Sequence, residues 1–95
     1  MPRYVIERDI REIGSAERDA LREASQQSNG VLAEMKAENK SIQWEHSYVA
    51  GDKTFCIYIA DEETLIHEHA ERSGFPATKV TVVKGMIDPV TAEAS

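Results

Sequence analysis

Two β-rich runs separated by a short turn constrain the fold of this chain more than any other feature. The runs are residues 41–49 and 54–59, and the sequence AGDK at residues 50–53 lies between them. A Gly-Asp pair flanked by alternating β-branched and aromatic residues is typical of a β-hairpin turn. We therefore expect an antiparallel hairpin at the centre of the chain.

The register of this hairpin divides its side chains between two faces. A turn centred on residues 51–52 places His46 opposite Ile57, and side chains alternate between the faces along each strand. Neither face is plainly polar, so we expect helices to cover one and a second copy of the chain to cover the other. One face is predicted to carry Trp44, His46, Tyr48, Phe55, Ile57 and Ile59, and the other Glu45, Ser47, Val49, Thr54, Cys56 and Tyr58.

The segments before and after the hairpin are predicted to form two further strands and two helices. Residues 3–8 and 79–84 read as strands, and residues 16–38 have the apolar spacing of an amphipathic helix. A second helix over residues 61–73 is expected to end at Gly74, because glycine accepts the left-handed conformation that follows many helices.

Strand, helix, strand, strand, helix, strand is the order of the ferredoxin-like split βαβ fold. The sequence therefore predicts an α+β protein in which an antiparallel sheet carries two helices on one face. A chain of 95 residues can form one small core. We assign residues 1–88 to a single ferredoxin-like domain and residues 89–95, which have little to bury, to a C-terminal tail.

Charge and composition narrow the classes of partner. The formal net charge is -6, with 17 acidic and 11 basic residues, so we expect no nucleic-acid binding, which relies on clustered Lys and Arg. No apolar run approaches the roughly 20 residues that span a bilayer, and no signal peptide is apparent. We expect a cytoplasmic protein without membrane contact, and its single cysteine, Cys56, fits a reducing compartment.

The segment IHEHAE, residues 66–71, is the first candidate for a metal site. Its histidines, His67 and His69, are two positions apart, which is ~200° around a helix, so they cannot chelate one ion together. His67 shares its face with Glu63 and Glu71, each four residues away. One imidazole with two carboxylates would suit nickel, copper, cobalt or zinc, although a solvated charged face has the same pattern.

His69 and His46 are the remaining candidate ligands. His69 falls on the apolar side of the second helix, which is typical of a packed histidine whose ring is hydrogen-bonded. His46 lies in the hairpin between Trp44 and Tyr48. If His46 faces the helices, it could approach His69 in the core. If His46 faces outward, it would line the interior of a dimer.

Several stretches together resemble a bacterial family of small ferredoxin-like domains of unknown function, some of which are described as nickel-binding. The resemblance covers the chain from Pro2 to about Glu93. The entry to the first helix, REIGSAERDA at residues 11–20, departs from the proline- and glycine-rich entry typical of that family. It implies a homodimer with nickel held at the dimer surface. The stretches that carry the resemblance are PRYVIERDI, IQWEHSYVAGDKTFCIYIA, IHEHAERSGFPATKV and Met86-Ile87-Asp88-Pro89. The positions that match the characteristic residues of the family are Trp44, His46, Ser47, Tyr48, Cys56, Tyr58, His69 and residues 74–77.

These observations lead to one leading hypothesis and two alternatives. We expect a homodimer that binds nickel or another divalent transition metal through Glu63, His67, Glu71, His46 and His69, for buffering, storage or sensing. No spacing requires an acid, a base and a nucleophile to meet, so catalysis lacks a specific signal. The alternatives are a dimeric α/β-barrel enzyme or small-molecule binder whose pocket is lined by the 41–60 hairpin, and an acidic interaction module without a ligand.

Overall fold

The structure, a computed structural model, describes residues 1–93, and over this range the chain forms a four-stranded antiparallel sheet with two α-helices. Short 3₁₀ turns lie at Ile13–Ser15 and Pro89–Glu93. The regular elements, in chain order, are β1 (Arg3–Asp9), α1 (Arg18–Ala37), β2 (Ile42–Val49), β3 (Lys53–Ala60), α2 (Glu63–Ser73) and β4 (Lys79–Val82).

The strands are arranged in the order β2-β3-β1-β4, and each neighbouring pair is antiparallel. This is the ferredoxin-like arrangement that the order of elements predicts. The hairpin register is also confirmed, since His46 pairs with Ile57 and Ser47 with Cys56. α2 ends where expected, because Gly74 adopts a left-handed conformation with φ of 79° and donates its N–H to Ala70 O.

The core lies between the helices and one face of the sheet. Burial alternates along β1 and β3, as expected for strands with one covered face. Met35 of α1 and Ile66 of α2 are among the most deeply buried side chains and pack against this face. The strand residues in the core are Tyr4, Ile6, Ile42, Cys56, Tyr58 and Ala60.

A β-bulge in β2 corrects the predicted face of Trp44. The register shifts between Trp44, which pairs with Tyr58, and His46, which pairs with Ile57, so Glu45 is an extra residue in the strand. Trp44 therefore lies on the helix-covered face, where its ring stacks on Tyr58 at a centroid distance of 6.4 Å. The displaced Glu45 forms an ion pair with Arg3.

The other face of the sheet, which we call the open face, has no helix over it in the described residues. It carries half-buried apolar side chains in its two central strands, Val5 on β1 and Phe55, Ile57 and Ile59 on β3. Tyr48, at the end of β2, is 62% exposed on this face. The predicted apolar character of both faces is thus present.

Ion pairs join the C-terminal end of α1 to α2. Arg72 contacts Glu38 and Glu68 at 2.7 and 2.6 Å, and Lys40 contacts the same two carboxylates at 3.0 and 2.6 Å. The hydrogen bonds from Arg72, and then from Lys40, lower the pKa of Glu38 to about 2. This cluster helps to hold the helices side by side over the sheet.

The predicted tail, residues 89–95, contains the 3₁₀ turn at Pro89–Glu93, and its last two residues lie outside the described range. In the part of the chain that the structure describes, no helix is long and apolar enough to cross a membrane.

Candidate functional site

The outer face of α2 carries His67 between Glu63 and Glu71, and His67 contacts only the first of these two carboxylates. His67 Nε2 lies 3.1 Å from Glu63 Oε2, one helical turn away, and both side chains are about half exposed. Glu71 is exposed one turn further along and takes no part in that hydrogen bond. An accessible pair of this kind supplies one nitrogen and one oxygen donor to a metal ion.

His46 lies on the open face, on the opposite side of the sheet from the helices. Its ring meets Tyr48 edge-on at a centroid distance of 5.1 Å, and both residues are exposed. The sheet separates His46 from His69, so these histidines do not form a joint core site. Of the two orientations that the sequence allowed, His46 therefore has the outward one.

His69, on the inner face of α2, belongs to a buried hydrogen-bond network. It is 1% exposed, its Nε2 shares a hydrogen bond of 3.1 Å with Ser28 Oγ, and Ser28 Oγ shares one of 3.3 Å with Tyr58 OH. Burial, together with the positive charge of Arg8, lowers the pKa of His69 to about 4. His69 is therefore a neutral, structural histidine near pH 7 and is closed to a metal ion from solvent.

The candidate metal ligands do not converge within one chain. Among residues 1–93, no three side chains of His, Cys, Asp or Glu are grouped so that they could hold a metal ion together. The pair on α2 provides two donors, and His46 provides a separate one. A more complete ligand set would require water or a neighbouring molecule.

A cavity lies on the helix-covered side of the sheet, and we call it the Arg8 cavity. Its volume is about 190 Å³, and it lies between the N-terminal half of α1 and the β2–β3 hairpin. Arg8 is 3% exposed although it is charged. The cavity is lined by Arg8, Ile10, Ile13, Leu21, Ala24, Ser25, Ser28, Trp44, Ser47, Val49, Thr54, Cys56, Tyr58 and Phe75.

A role for Arg8 was not expected from the sequence, and the pocket lined by the 41–60 hairpin was expected between two facing sheets and not on the helix-covered side. The signal for Arg8 was available, since it follows Tyr4 and Ile6 at a spacing of two on β1 and therefore points toward the helices. Cys56 is buried in the cavity wall, with its Sγ 3.5 Å from Thr54 Oγ1, as expected of a small packed cysteine. The buried hydroxyl of Tyr58 has a raised pKa, chiefly because of desolvation.

Comparison with known proteins identifies the family. A family described as nickel responsive protein, SCO4226-like, matches residues 4–83. The chain belongs to this family. The family agrees with the resemblance seen in the sequence, and its name associates these proteins with a response to nickel.

A solved structure supports the fold. The crystal structure of SCO4226 from Streptomyces coelicolor A3(2) matches with a TM-score of 0.71 and 15% sequence identity, over 90% of this chain and 99% of that one. At this identity the match establishes the shared fold alone. No curated protein matches the chain.

Proposed function

We propose that this protein is a cytoplasmic homodimer that binds nickel, or a closely related divalent transition metal, and serves to sense or buffer it. The observation that carries the proposal is the exposed pair of His67 and Glu63 at 3.1 Å. Membership of a nickel-responsive family supports nickel as the first metal to test.

The donor chemistry fits such an ion. Neutral imidazole nitrogen is a good ligand for nickel, copper and zinc, and a carboxylate oxygen completes a borderline donor set. Glu71 could join the pair after a change of rotamer, since it is one turn from His67. With so few protein donors, the remaining positions would go to water or to a second molecule, which suits reversible binding better than a permanent cofactor.

The open face supports the dimer. Half-buried Phe55, Ile57 and Ile59 form an apolar strip along β3, and clustered exposed apolar side chains commonly mark an interface. Pairing of two open faces would bury this strip and bring His46 to the interface of both chains. We propose His46 as a ligand of a second, interfacial site, and we place no metal at His69 because it is buried.

Calorimetric titration of the tag-free protein with nickel tests the proposal. Glu63→Gln removes the carboxylate beside His67, and Glu62→Gln is its matched control because it removes the same charge from the neighbouring exposed position. We expect Glu63→Gln and His67→Ala to weaken one class of site while Glu62→Gln leaves it unchanged. His46→Ala should affect a different class of site.

Two results of this titration would contradict the proposed metal site. Nickel binding that is unchanged in the His46→Ala, His67→Ala double variant would remove these ligands from the proposal. An equal loss in Glu62→Gln and Glu63→Gln would mean that the protein attracts nickel through its net negative charge and not through a defined site.

A further inference from the structure

The Arg8 cavity contains a buried positive charge that has no negative partner among residues 1–93. Arg8 Nη1 donates a hydrogen bond of 2.9 Å to Pro76 O, whereas Nη2 is buried and finds no hydrogen-bond partner among the residues that the structure describes. Within that same range, Arg8 forms no ion pair. A buried charge is normally paired, so the guanidinium is suited to an anion that enters the cavity.

The position of the guanidinium is fixed by its neighbours. Its Cζ lies 5.9 Å from the ring centroids of both Tyr58 and Phe75. These aromatic contacts and the bond to Pro76 hold the planar group in place without neutralising it. The guanidinium is therefore ordered before a ligand arrives, which reduces the ordering cost of binding.

The rest of the wall defines the chemistry of the ligand. Apart from Arg8, the lining consists of apolar and aromatic side chains with a few hydroxyls, and no lysine or carboxylate belongs to it within residues 1–93. A single positive charge matches a monoanion better than a phosphate dianion. A guanidinium binds a carboxylate through parallel hydrogen bonds, so a carboxylate is the best match for the charged end.

The volume limits the size of the ligand. A dry apolar cavity of roughly 150 Å³ can hold benzene, so about 190 Å³ has room for a ring or branched alkyl group with a carboxylate attached. Val49, one of the lining residues, is 47% exposed, so the cavity reaches solvent at the hairpin end. A ligand could enter there with its apolar body against Trp44.

The segment after β1, which contributes Ile10 and Ile13 to the cavity wall, is joined to the hairpin turn by hydrogen bonds. Gly14 donates its N–H to Gly51 O at 2.9 Å, and Glu12 donates its N–H to Asp52 Oδ1 at 2.8 Å. A side chain at Gly14 would collide with the backbone of Ala50 and Gly51. The segment that carries these two lining residues is therefore held against the hairpin.

We propose that the Arg8 cavity binds a small monocarboxylate with an apolar body, such as an aryl or branched-chain carboxylate, whose carboxylate pairs with the buried guanidinium. This site is distinct from the nickel ligands on the outer face of α2 and on the open face. Binding there requires no metal, so the two proposals succeed or fail separately.

The test uses the metal-free, full-length protein and the fluorescence of Trp44, which is the single tryptophan of the chain and lines the cavity. The probes are benzoate, phenylacetate and isovalerate, each compared with its neutral amide. We expect at least one acid to bind roughly 10- to 100-fold more tightly than its amide, which is the range for losing a charged hydrogen bond. Arg8→Met should abolish this preference, while Arg22→Met, at an exposed position on α1, should retain it.

A second variant covers the case in which Arg8→Met does not fold. Ala24 lines the cavity, so Ala24→Phe should fill it and reduce binding of the preferred acid without removing the charge. The proposal is overturned if no acid binds at millimolar concentration, if the acids and amides bind equally, or if Ala24→Phe leaves the affinity unchanged.

Discussion

The two sides of α2 place histidines in opposite environments. On the outer side, His67 is half exposed and contacts Glu63, whereas on the inner side His69 is 1% exposed and contacts Ser28 in the core. His67 and His69 are only two positions apart in sequence. At this spacing their side chains point to nearly opposite faces of the helix. One ring can meet a metal ion from solvent, and the other contributes to packing.

His67 and His69 are close together in sequence, but this difference shows that they do not belong to one site in space. It also separates two environments on the same helix: an exposed imidazole and carboxylate at the surface, where we propose the metal, and a buried, neutral polar network inside.

The largest contrast is expected in stability. His69→Ala removes a buried side chain and its hydrogen bond to Ser28, and it should reduce the free energy of unfolding by about 2–4 kcal/mol. His67→Ala removes an exposed side chain and should change this free energy by no more than about 0.5 kcal/mol. Urea unfolding of both variants measures the contrast, and similar losses in the two would contradict the assignment of an inner and an outer histidine.

The pH dependence of stability should report His69 next. Its pKa is about 4 in the folded protein and 6.5 in the reference state, so between these values the unfolded chain binds more protons. Stability is therefore lost as the pH falls from 6.5 toward 4, by at most roughly 3 kcal/mol. His69→Gln should flatten this part of the curve of unfolding free energy against pH, and a curve of unchanged slope would show that other groups cause the loss.

The two faces of the sheet differ in the same way as the two sides of α2, since one face is covered by the helices and the other is open. Ile57→Lys on the open face should lower monomer stability by only about 1 kcal/mol, because Ile57 is half-buried in one chain, but it should abolish dimer formation. Light scattering after size-exclusion chromatography measures the mass, with Gln26→Lys on the exposed side of α1 as the control. A wild-type protein that is already monomeric, or a variant that remains dimeric, would exclude the open face as the interface.

Much of the fold could be predicted from the sequence because it depends on local periodicity. The order of elements, the register of the hairpin and the opposite orientation of His67 and His69 all follow from spacings of two or of 3.6 residues. The face of Trp44 could not be predicted in this way, because the bulge at Glu45 changes the strand alternation and leaves no mark in the apolar pattern.

The candidate sites were predicted less completely. A polar ligand set can be proposed from spacing on one helix, as for His67 and Glu63. The Arg8 cavity combines residues of β1, α1, the hairpin and the segment after α2, so only the three-dimensional arrangement shows it. The metal and the dimer depend on a second molecule and remain proposals.

The most direct test of the central claim is to label the histidines with diethyl pyrocarbonate, with and without nickel, and to locate the labels by tandem mass spectrometry. At about pH 7 we expect His46 and His67 to react without nickel because they are exposed, and His69 to remain unlabelled because it is buried. Saturating nickel should protect His67 and, in the dimer, His46. If His67 is labelled equally fast in the presence of nickel, or if His69 is the histidine that nickel protects, the assignment of the metal to the exposed histidines is wrong.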